Sequence, residues 1–148
     1  MDKLKVAKGD WVIVCDGRKA LILENIGDAM YPNLHTREVK EHAVPPTHDQ
    51  GSDVPGRKFA SVGGARSAVD QTDWHLQAEQ EFLRSLAGEL DHAVASSQTK
   101  HIILVAPPRS LGVIRHASSG HLRSAIKAEV AHDYVKLPVA EIEKRLFA

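Results

Sequence analysis

The sequence predicts an α/β fold of mixed α+β type. Its core is a five-stranded mixed sheet in the order 3-2-1-4-5, an antiparallel meander followed by βαβ crossovers, with helices on both faces. Three observations carry this. Trp11–Cys15 and Ile102–Ala106 are continuously apolar, as strands buried on both faces must be. Asp16-Gly17 follows the first of them, a pair suited to a tight hairpin because both positions tolerate positive φ. Downstream, Ala78, Phe82, Leu83, Leu86, Leu90 and Val94 recur at helical spacing.

Each element follows in order. Trp11–Cys15 is the first strand and Lys19–Glu24 returns antiparallel to it. Asn25–Asn33, with Gly27 and Pro32, is a loop. Leu34–Ala43 is extended but carries Arg37, Glu38, Lys40 and Glu41, which suits an exposed edge and leaves a ladder open to pairing with a second copy. Val44–Thr72 holds no convincing element, and a loop of that length is expected to be mobile and functional. Asp73 is placed to cap a long amphipathic helix ending near Ser96-Ser97. His101–Ala106 is a parallel strand, stopped by Pro107-Pro108. Arg109–Ala117 is expected to be helical, Lys127–His132 the last strand, and Pro138–Phe147 a helix with proline in its first turn.

With 148 residues the chain suits a single domain. No run approaches the apolar length of a membrane span, and the N-terminus lacks a signal-peptide core, so a cytoplasmic location is expected. A lone cysteine excludes an internal disulfide. The net charge is +0, yet it is unevenly spread. His92–Ala128 contains no acid but holds Lys100, Arg109, Arg115, Arg123 and Lys127, whereas Asp70–Asp91 is acidic apart from Arg84.

Two stretches have the chemistry to meet an anion. In the 44–72 loop, Gly56, Gly63 and Gly64 let the backbone approach a ligand closely, and Arg57, Lys58 and Arg66 supply charge. Arg109, Ser110 and Gly112 open a helix directly after a buried strand, where free N–H groups and a guanidinium fork suit phosphate. The alternative for Arg109 is an ion pair with an acid of the long helix. The histidines show no metal-ligand spacing, since His35 and His42, seven apart on a strand, should face opposite ways. No cofactor is expected. Cys15 reads as core, and no serine elbow surrounds Ser110.

The hairpin VCDGRKALILE, then PGRKF, the Asp73/His75 helix start, VAPPRSLG and HDYVKLPVAEIEKRL together resemble the bacterial host attachment protein family over nearly the whole chain. That family is in turn similar to the middle domain of archaeal and eukaryotic peptide-release factors, whose Gly-Gly-Gln loop reaches the ribosomal peptidyl-transferase centre. Here the loop reads Gly63-Gly64-Ala65, and an alanine cannot position a hydrolytic water. Trp74-His75-Leu76 also departs from the family pattern of proline before the histidine and an acid after it. The resemblance implies a non-catalytic partner of the ribosome or of transfer RNA. The alternatives are a small hydrolase of peptidyl-ester-like substrates and a protein factor in host-cell attachment. Structured RNA, read by shape and charge, fits a chain poor in stacking aromatics better than single strands do.

Overall fold

The computed structural model describes residues 4–42 and 64–147, the backbone alone for residues 64–73. Its strands are β1 Trp11–Cys15, β2 Lys19–Asn25, β3 Leu34–Glu41, β4 Ile102–Val105 and β5 Ile126–Val130. Its helices are α1 Gly64–Ala95, α2 Pro108–Ala117, α3 Gly120–Ala125 and α4 Val139–Phe147. The sheet order is β3-β2-β1-β4-β5. β1 pairs antiparallel with β2 and parallel with β4, and β4 pairs parallel with β5. The order and the mixed pairing are those that the apolar runs predict.

Strand alternation divides the core between two faces. Trp11, Ile13, Cys15, Ile22, Ile102 and Leu104 pack under Leu83, Leu86 and Leu90 of α1, Leu111 and Ile114 of α2, and Leu122 of α3. Val12, Val14, Leu21, Leu23, Ile103 and Val105 face the other way, against Val135 and against Ile142 and Leu146 of α4. β1 and β4 contribute to both clusters, which is why they carry no polar residue.

α1 has 32 residues and is thus about 48 Å long, while the strands it crosses have at most 8. Between residues 74 and 95 its buried stripe begins at Leu83. It leaves the sheet over the β1–β2 turn. A Cβ on Gly17 would lie 2.7 Å from that of Glu79, and Arg18 Nε stands 3.6 Å from the Glu79 carboxylate. At the other end Ser97 takes a left-handed φ of 63°, and the Gln98 N–H reaches back to Ala93 O at 2.9 Å, closing the helix.

Several boundaries differ from the sequence expectation. α1 starts at Gly64, so residues 64–72 belong to the helix rather than to a loop, and Asp73 lies inside it instead of capping it. Ala65, Arg66, Ala68 and Gln71 favour a helix by intrinsic propensity. The rest of the expected 44–72 loop, residues 44–63, lies outside the described residues. β3 ends at Glu41, and β5 runs Ile126–Val130 rather than to His132. The short α3 was not foreseen, because Leu122 and Ala125 are its only buried residues.

β3 does lie at the edge. Its pairing with β2 slips between Ile22 and Leu23, where Thr36 and Glu38 are matched and Arg37 is the extra residue of a bulge. A bulge and four charged side chains both oppose edge-to-edge pairing. The bulge also corrects the histidine prediction. His35 is level with Glu24 and hence with Trp11, while His42 packs its ring on Phe82 at 5.9 Å, so both lie on the α1 side.

Candidate nucleic-acid interface

β1, β4 and β5 run parallel, so their carboxyl ends share one edge of the sheet. From that edge the chain leaves β1 toward β2 and leaves β4 toward β5. The crevice between two such diverging connections is where open α/β sheets place ligands. The same edge carries the VAPPRSLG segment.

Pro107 ends β4 in extended backbone (φ −58°, ψ 154°) and Pro108 starts α2, where a missing N–H costs nothing. Ser110 and Leu111 turn into the core, which fixes the rotation of α2. Arg109, Gly112, Val113 and His116 therefore share the opposite, outward face by their i, i+3, i+4, i+7 spacing. α1 supplies the facing wall through Gln80 and Arg84, one turn apart. Together these residues and Ala117 line a groove of about 590 Å³. A Cβ at Gly112 would meet nothing within 4 Å, so the groove is open there.

The lining holds two guanidinium groups, an imidazole and an amide, and no carboxylate. Arg84 Nη2 donates to Gln80 Oε1 at 3.5 Å, a long bond that leaves most of the fork available. Among the described residues Arg109 forms no ion pair; its neighbours on the long helix are a cation and an amide rather than the acid expected as its alternative partner. Neighbouring cations are engaged elsewhere: Arg115 pairs with Glu129, and Lys127 with Asp10. Two like charges on facing walls repel, and an anion between them relieves that repulsion.

Of the sequence-predicted site residues, Arg109 and Gly112 lie in the groove and Ser110 lies beneath it. Arg57, Lys58 and Gly63 fall outside the described residues. Gly64 and Arg66 occupy the start of α1, some 24 and 21 Å along the helix from Gln80 by its rise, so they do not share the groove. Sequence reasoning missed Gln80, Arg84 and His116. Arg84 carried a signal, since it is the one cation in an acidic run.

A second groove of about 420 Å³ lies between β3 and α1, over Trp11 and Ile22. Its cation is already spoken for. Lys40 Nζ stands 2.8 Å from Glu89 and 2.9 Å from Glu38, and these bonds, Glu89 first, raise its pKa above the usual lysine value. It reads as a latch between β3 and α1.

Nucleophilic chemistry finds no support among the described residues. Burial, with a smaller push from Asp16, raises the Cys15 thiol to about 12, which leaves almost no thiolate near neutrality. Iodoacetamide at pH 8 should therefore leave the folded protein unlabelled and modify Cys15 only in denaturant; rapid labelling of the native chain, read by mass spectrometry, would contradict this. His75 contacts the exposed Trp74 edge to face at 5.5 Å, and among the described side chains no carboxylate orients it. No group of three or more ligating side chains fit for a metal occurs among the described residues, and none of the described helices is long and apolar enough to cross a membrane.

Comparison with known proteins agrees with the resemblance to the host attachment family. An uncharacterised protein of Rickettsia prowazekii (strain Madrid E) is 30% identical over 71 residues, 47% of this chain and 47% of that protein. The chain thus matches about half the length of that relative. An archaeal translation termination factor of solved structure aligns over 83% of this chain and 30% of its own, with 14% identity and a TM-score of 0.48. The family described as "protein required for attachment to host cells" matches residues 11–146, from β1 into α4, and the chain belongs to that family.

Proposed function

We propose that the chain is a non-catalytic binding protein for structured RNA, ribosomal or transfer, which holds phosphates in the groove between α1 and α2 and works in the cytoplasm where such RNA is found. The observation that carries this is the pairing of Arg84 and Arg109 across a groove whose lining includes no acid. Guanidinium forks match phosphate oxygens two at a time, which a lysine cannot do. The basic tips expected at residues 57, 58 and 66 would add contacts some distance away, as an A-form backbone with regularly spaced phosphates allows.

The test is co-sedimentation with purified ribosomes, and binding to bulk transfer RNA, over a salt series. Affinity should fall linearly on a log–log plot, and Arg109→Ala should reduce the slope by about one. Arg109 is exposed, so this substitution leaves the core intact. Absent or salt-insensitive binding would end the reading. Peptidyl-ester hydrolysis by the same preparation, lost on changing His75, would replace it with an enzyme. The family description favours a second reading, attachment to host cells. Its test is adherence of cells that lack the protein, with ribosome binding measured in parallel.

A further inference from the structure

Behind β5 the chain builds a stack that the phosphate groove does not use. The ring of His132 lies on that of Tyr134 with centroids 5.0 Å apart and planes 5° from parallel. The Arg145 guanidinium of α4 covers the same Tyr134 ring, 5.6 Å from its centroid, and is itself held by Glu141 at 3.1 Å. Tyr134 is half-buried and packs with the core cluster that includes Val135, so the stack has a fixed base. His132 is exposed. Two flat groups lie against the Tyr134 ring, and the imidazole, open to solvent, offers a preorganised surface for a further ring.

The stack and the groove lie on opposite faces of the sheet but at the same end of its parallel strands. The Ala106 N–H donates to Val130 O at 3.0 Å, which sets the carboxyl ends of β4 and β5 side by side. Arg109 is three residues beyond the first, His132 two beyond the second, and the His132 N–H turns back to Val130 O at 3.0 Å. The two sites thus sit on the same sheet edge. Asp133 lies between the two rings in sequence, so this spot is unsuited to a phosphate. An uncharged π-face is the better occupant.

We infer that His132 is a stacking platform for one unpaired base of the RNA whose phosphates occupy the Arg84–Arg109 groove, an inference that rests on the RNA-binding reading above. Stacking on an aromatic ring is sequence-tolerant and insensitive to salt, unlike phosphate contact. The stack of His132 on Tyr134 is already assembled, so binding a base orders little that is mobile.

The test compares single-stranded oligoadenylate with an abasic strand of the same length, over a salt series, for the wild type, His132→Ala and His132→Phe. His132→Ala should weaken oligoadenylate binding roughly five- to a hundredfold at unchanged salt slope and leave the abasic strand unaffected. His132→Phe should stay near the wild type. Equal affinity of His132→Ala and wild type for oligoadenylate, an equal loss on both strands, or wild-type binding indifferent to the presence of bases would overturn the platform while leaving the groove standing. Wild-type protein that binds neither strand, nor ribosomes, would remove both.

Discussion

Replacing Arg84 and Arg109 together by glutamate should abolish measurable RNA binding under conditions where the wild type binds. Each arginine supplies a charge-assisted contact of roughly 1.5–3 kcal/mol, so loss of both lowers affinity by two to four orders of magnitude before the new repulsion is counted. Both side chains are exposed and neither stands in an ion pair among the described residues, so the thermal midpoint should stay within a few degrees. Lys136→Glu, an exposed charge change outside the groove lining, is the control and should reduce affinity far less. Filter binding with transfer RNA and a melting curve for each variant decide it. A double variant that still binds within threefold of the wild type would show that the groove is not the contact surface.

Asp10→Ala should cost about 2–4 kcal/mol, the largest stability loss expected from a single polar substitution here. Asp10 is 3% exposed, and its carboxylate accepts the Ala7 N–H at 2.8 Å and pairs with Lys127 of β5. His101 Nδ1 stands 3.7 Å from its other oxygen. Asp10 thereby ties the segment before β1 to the far edge of the sheet, across β4. The same turn is held to the sheet at Gly9, whose φ of 90° suits glycine and whose carbonyl accepts the Thr99 hydroxyl at 3.1 Å. Removing the carboxylate strands the Ala7 N–H and leaves Lys127 to find water, which its 28% exposed side chain can do only in part. Urea denaturation should show a lower midpoint with an unchanged slope. A shift below about 0.5 kcal/mol would mean that the turn is held by its backbone bonds alone.

The sheet was legible because strand burial writes itself locally. Trp11–Cys15 and Ile102–Val105 must avoid polar groups whichever residues cover them, so their central place and the 3-2-1-4-5 order follow from composition along a few residues. The edge position of β3 followed in the same way from its charges. The groove was only half legible. Arg109 and Gly112 stood out beside Pro107-Pro108, a local strand-to-helix signal, but Gln80 and Arg84 lie some 25 residues upstream in a run of acids. Only the packing of α1 on α2 turns those two residues toward Arg109 and sets the acids elsewhere. The start of α1 escaped notice because the Gly63-Gly64 pair reads as a loop and the small residues after it give only a faint helical period.

The face shared by His35 and His42 is of the same kind. Alternation along β3 assigns them to opposite sides, and one extra residue at Arg37 reverses the parity. The sequence alone determined which segments are strands, their order in the sheet, and which one carries the charged edge, because those depend on burial along the chain. The tertiary structure decided which cations meet across a groove and which rings stack at the sheet edge, because those depend on the rotation of whole helices and on a single bulge, neither of which leaves a local trace.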